Sequence, residues 1–110
     1  MIRKFRAFDP DVINRELASL PQNDFVDLRL AMHRYQEGLE VGYTVKDYGD
    51  GLMMIKGGRQ GRCLWFHEGE AENGLRILIA LLIYKKESQE VPDRILRTAR
   101  ARMNQRKENR

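Results

Sequence analysis

Apolar and polar residues alternate with two different periods along this chain. Val12, Ile13, Leu17 and Leu20 recur at helical spacing, and Asp9-Pro10 ahead of them supplies an N-cap acceptor followed by a proline that loses no needed N–H. Pro21 closes that segment, and Asn23 or Asp24 can cap a second one. Phe25, Leu28, Met32 and Tyr35 give the second stripe, and Gly38 stops it. The pattern predicts a helical hairpin over residues 10–20 and 24–37. A short strand over residues 2–7 can precede it.

The period then falls to two. Residues 43–47 read as extended, and Gly49-Asp50-Gly51 reads as a turn. Residues 52–56 form a strand with Leu52, Met54 and Lys56 on one face. Residues 57–61 are a glycine-rich connection. Residues 62–67 form the next strand, with Arg62, Leu64 and Phe66 on one face and Cys63, Trp65 and His67 on the other. Residues 68–74 read as an acidic turn. The run LRILIALLIY, residues 75–84, is apolar apart from Arg76 and suits a strand covered on both faces. Pro92 opens a last helix whose apolar side is Ile95, Leu96, Ala99 and Met103. These elements predict an α+β fold of one domain, residues 1–110: a helical hairpin at the N-terminal end packed on a small antiparallel sheet, with a C-terminal helix.

Composition sharpens this picture at three points. Of 110 residues, 42% are hydrophobic, enough for a core. Cys63 is the only cysteine, so an internal disulfide and a cysteine-based zinc site are both excluded. A lone cysteine fits a reducing cytoplasm, no secretion signal is visible at the start, and the longest apolar run is too short for a membrane span. The net charge is +4, and residues 91–110 alone carry seven basic and two acidic side chains. A basic end of this kind suits a nucleic acid or an acidic protein partner.

Candidate chemistry is cationic. The hairpin of residues 52–67 places Lys56 at the end of one strand and Arg62 at the start of the next, and Lys85 and Lys86 end the long strand. Antiparallel pairing brings these ends to one rim. Like charges repel when gathered, and a bound phosphate relieves the repulsion. His33 and His67 are too far apart in sequence for a metal pair, although His67 is a candidate proton carrier. GGRQGR lacks the Lys-Ser/Thr ending of a nucleotide-binding loop, and no nucleophile elbow or dinucleotide fingerprint is present. No metal and no small-molecule cofactor is expected.

The segments SLPQNDFVDLRLAMHRYQEGLEVGYTVKDYGDGL, MMIKGGRQGRCLWF and LLIYKKESQEVPDRILRTARARM, in that order, resemble the RelE/ParE superfamily of bacterial toxins, in its HigB-like and phage-derived branch. The likeness spans about residues 10–105. It implies a toxin of a type II toxin–antitoxin system that cleaves mRNA on the ribosome without a metal, the ribose 2′-hydroxyl attacking its own phosphate. It also implies a cognate antitoxin, of helix-turn-helix type in this branch, as partner. By position, Arg62 matches the arginine that binds the scissile phosphate, Lys56 the general base, and Lys86 the residue at the leaving oxygen. Lys46, Arg59, Lys85 and Arg94 would hold neighbouring phosphates, and Tyr84 is the tyrosine nearest to a family tyrosine that Pro92 replaces here. Met54 stands where relatives carry glutamate or lysine. Two other expectations follow from these departures and from the superfamily's breadth: a toxin with a non-nuclease target such as DNA gyrase, or a decayed module that only binds antitoxin or RNA.

Overall fold

The computed structural model describes residues 1–71 and 73–109. In chain order the elements are β1 (Arg3–Ala7), α1 (Pro10–Ala18), α2 (Gln22–Gln36), β2 (Thr44–Asp47), β3 (Met53–Lys56), β4 (Gly61–Glu70), β5 (Arg76–Lys85) and α3 (Asp93–Glu108). The five strands form one sheet in the order β1-β5-β4-β3-β2. The fold is α+β, with two corrections to the expected arrangement. The sheet is mixed, because β1 runs parallel to β5 while the other pairs are antiparallel. The helical hairpin is not the first element, because β1 precedes it.

Local chemistry explains the helices. Asp9 Oδ1 accepts from the amides of Asp11 and Val12 at 3.1 and 3.4 Å, and Pro10 takes the first helical position. The start of α2 differs from expectation. Pro21 occupies its N-cap without a side-chain bond, and Asp24 sits inside the first turn with its carboxylate turned elsewhere.

Two apolar clusters divide the interior. Ile55, Cys63, Trp65, Leu78, Ala80 and Ile83 meet Ile13, Leu20 and Leu28 of the hairpin region. Leu52, Met54, Leu64, Phe66, Ile77, Ile79, Leu81 and Leu82 meet Ile95, Ala99 and Met103 of α3. The sheet therefore carries α1 and α2 on one face and α3 on the other, and β4 and β5 are buried on both sides along most of their length.

The sheet's exposed backbone is closed at two places by side chains. Along β1, Gln36 Oε1 accepts from the Phe5 amide at 2.7 Å, which blocks that edge. Beyond the end of β1, β5 is an edge strand. There Glu16 Oε1 accepts from the Ile83 amide at 3.0 Å, and Arg102 Nη1 donates to the Leu81 carbonyl at 2.9 Å. Glu16 and Arg102 are themselves paired at 2.9 Å, so α1 and α3 clasp one another around β5.

Candidate functional site

The turn between β3 and β4 fixes the first two functional side chains. Lys56 and Arg62 are register partners across it. They share the face of Met54 and Leu64, so both project on the α3 side of the sheet. Gly57 lets the turn lie against α2: a Cβ there would stand 2.7 Å from the Asp27 carbonyl oxygen and collide with the Ala31 side chain. The Asp24 carboxylate accepts from the Gln60 amide at 3.1 Å, tying the turn to the start of α2. Gln60 in turn accepts from the Lys86 amide at 2.7 Å, which draws the end of β5 to the same corner.

A bulge supplies the rest. Leu64 of β4 pairs with Leu82, but Trp65 pairs with Ala80, so Leu81 is an extra residue in β5. Leu81 and Leu82 both face the α3 cluster, and alternation resumes one step out of phase. Tyr84 is thereby brought opposite Arg62 on the α3 side. Lys86 follows on the same face. Without the bulge, both would project toward the hairpin.

The result is a cleft of about 220 Å³ bordered by Lys46, Lys56, Arg62 and Lys86, with Tyr48, Tyr84 and Met54 among its other walls. Glu90 is the one acid among its lining residues. Arg62 is 4% exposed. It donates from Nη1 to the Gly61 carbonyl at 3.0 Å and from Nη2 to the Arg59 carbonyl at 3.1 Å. Among the described residues no carboxylate forms an ion pair with it. Burial lowers its pKa from the ordinary arginine value, while Tyr84, Asp24 and Tyr48 pull the other way. The Tyr84 hydroxyl is pushed up to about 12, first by burial and then by Tyr48, with Arg62 opposing. It is a protonated phenol at neutral pH, able to donate a hydrogen bond or a proton.

The turn between β2 and β3 carries Tyr48 and is held by α3. Arg100 Nη2 donates to the Tyr48 carbonyl at 3.0 Å, and Arg100 Nη1 stands 3.6 Å from Asp50 Oδ2. The Lys46 ammonium lies 5.3 Å from the centre of the Tyr48 ring.

Of the residues singled out from sequence, Lys46, Lys56, Arg62, Tyr84 and Lys86 line this cleft. Four do not. Arg59 lies beyond the turn, beside Gln60. Lys85 falls on the opposite face from Tyr84 and is exposed. Arg94 is exposed on the first turn of α3. His67 pairs with Leu78, toward the far end of β4, and is exposed there. Tyr48, Asp24 and Arg100 were not anticipated; the Gly-Asp-Gly turn beside Tyr48 was the one available signal for the first.

The C-terminal charge is also partly spent. Arg100, Arg102 and Arg106 are committed to Asp50, Glu16 and Glu68, the last through two bonds of 2.7 and 3.1 Å. Among the described residues, no three His, Cys, Asp or Glu side chains stand together as a metal-binding group, and no helix is long and apolar enough to cross a membrane. The chain matches no known family model and no curated protein.

Proposed function

We propose that this protein is a RelE-like toxin of the HigB-like branch, a cytoplasmic mRNA endoribonuclease that acts on the ribosome and is restrained by a cognate antitoxin. The observation that carries the reading is the convergence of Lys56, Arg62, Tyr84 and Lys86 on one cleft with, among the described residues, a single acid in its lining.

RNA cleavage by the neighbouring 2′-hydroxyl needs three services. A base must take the hydroxyl proton, a cation must meet the charge that grows on the phosphate, and the departing 5′-oxygen must be neutralised. Lys56 is the base. Arg62 is the phosphate clamp, because its planar guanidinium still has donors to offer beyond the two used on carbonyls. The 2′-oxygen bonds to phosphorus, the P–O5′ bond breaks, and a 2′,3′-cyclic phosphate remains. Tyr84 gives its phenolic proton to the 5′-oxygen, and the Lys86 ammonium steadies the charge there. No electron is transferred, and the proton taken by Lys56 balances the one given by Tyr84. Ribosomal alignment of the strand supplies the proximity that so small a set of groups does not.

Expression without the antitoxin tests this. Growth should stop, and new transcript 5′ ends should fall within codons. Arg62→Ala should restore growth and slow cleavage by about 10²–10³-fold, the usual loss for one transition-state donor. Persistent toxicity of Arg62→Ala with DNA damage would point to gyrase instead. Unimpaired growth with the wild-type chain would overturn the nuclease.

A further inference from the structure

Two cations of the cleft, Lys56 and Lys86, each also border a second hollow. On one side, Lys56 and Thr44 also border a hollow of about 420 Å³ that contains Arg34, Tyr43 and Gly42. On the other, Lys86 borders a hollow of about 370 Å³ that contains Arg59 and Gln60. The three depressions adjoin through these shared residues around the corner of the sheet where β3 turns into β4, and we treat them as one groove.

Arg34 is placed for a purpose in this groove. It lies in the last turn of α2, half-buried, with its guanidinium against Gly42, where a side chain would collide with it. Its side chain has no hydrogen bond or ion pair among the described residues, although Asp27 lines the same hollow. A guanidinium that is in no ion pair among the described residues keeps its donors for a phosphate. Arg59 is likewise without a side-chain ion pair among the described residues.

We propose that the groove binds single-stranded RNA with a fixed direction: Arg34 holds the phosphate immediately 5′ of the scissile one, and Arg59 holds the phosphate immediately 3′ of it. The direction rests on the ribonuclease reading. The attacking 2′-hydroxyl belongs to the nucleotide on the 5′ side, which must lie at Lys56, and the departing oxygen belongs to the nucleotide on the 3′ side, which must lie at Lys86. The hollow past Lys56 is then upstream and the hollow past Lys86 downstream.

Methylphosphonate linkages, which keep the backbone but remove one charge, test the assignment. Ribosomes programmed with a short mRNA would carry one neutral linkage either 5′ or 3′ of the mapped cut. The wild-type protein should cleave about tenfold more slowly with either one. Arg34→Ala should be about tenfold slower on the unmodified mRNA and indifferent to the 5′ neutral linkage, yet keep its sensitivity to the 3′ linkage. Arg59→Ala should show the mirror pattern. Melting curves of both variants should match the wild type, and the wild-type scan alone stands if either variant unfolds. If the losses from Arg34→Ala and the 5′ linkage multiply, or if Arg34 couples to the 3′ linkage, the assignment falls while the nuclease survives. If the wild-type protein cuts no programmed mRNA, the ribonuclease reading falls and takes the polarity with it.

Discussion

Replacing Arg62 with methionine separates a functional cation from a structural one. Arg62 is 4% exposed, and its guanidinium is met by two carbonyls and by no ion-paired carboxylate among the described residues. Removing a guanidinium from water costs several kcal/mol. Two hydrogen bonds to a charged donor return about 1.5–3 kcal/mol each. The terms nearly cancel, so Arg62→Met should shift stability by less than about 1 kcal/mol, or about 4 °C in Tm for a domain this size. One of the carbonyls freed, that of Arg59, sits in an exposed turn and can turn to water. Phosphate gives the second half of the test. If one phosphate binds the cleft with a Kd of about 10 mM, then about 100 mM phosphate adds RT ln 11, about 1.4 kcal/mol, and raises Tm by about 6 °C. Thermal melts in phosphate and in chloride of equal ionic strength should show that rise for the wild type and none for Arg62→Met. A fall of more than about 10 °C in plain buffer would make Arg62 a structural brace and refute the reasoning. An unchanged phosphate response would place the anion elsewhere.

Leu64 is fully buried between Met54, Leu82 and α3, and Leu64→Ala should cost about 3–4 kcal/mol by chemical denaturation. Gly57→Ala should lift the β3–β4 turn off α2, costing more than about 1 kcal/mol and abolishing the phosphate-induced rise in Tm. Tyr84 is held at about 12 in the fold against 10 when free, so its contribution is complete below pH 10 and is lost as pH rises toward 12. Allowing for its partial exposure, that loss is about 1 kcal/mol, and Tyr84→Phe should flatten it in urea melts across that range. Burial, with Glu16 adding to it, raises the Cys63 thiol above its usual range, so a thiol reagent should label Cys63 only at the rate of unfolding.

How much of this was legible in the sequence follows from which constraints are local. The turn at residues 57–61 pairs Lys56 with Arg62 by counting alone, since a short hairpin leaves one register that keeps Leu64 and Met54 inside. The stripe of α3 was equally plain, because Ile95, Ala99 and Met103 have polar neighbours. The parallel pairing of β1 was not readable: Arg3 to Ala7 offers a weak alternation, and its partner lies across the whole chain. The acidic segment after His67 also misled. The residues through Glu70 continue β4, because Arg106 reaches across to Glu68 and offsets the charge. Asp24 read as a helix cap because its type and place fit one, yet its carboxylate serves a turn thirty-six residues away.

The phase of β5 is the deepest instance. LRILIALLIY is apolar at every position after Arg76, so no alternation marks which side chains share a face. Read as a regular strand, it sends Tyr84 and Lys86 toward the hairpin, away from Arg62. The extra residue at Leu81 reverses this, and what makes the bulge tolerable is distant in sequence. Past the end of β1, the Leu81 carbonyl and the Ile83 amide have no strand to pair with. Arg102 takes the first and Glu16 the second, and their mutual ion pair holds both in place. Leaving a buried backbone group without a partner costs about 1–3 kcal/mol, so losing either side chain weakens the reason for the bulge as well as the clasp. The arginines of α3 thus divide between two tasks that charge counting cannot tell apart. Arg100 and Arg102 shape the cleft's walls from behind, and among the described residues Glu90 is the one acid in the cleft's lining. The fold thus gives ion-pair partners to the bracing arginines and, among the described residues, none to Arg62.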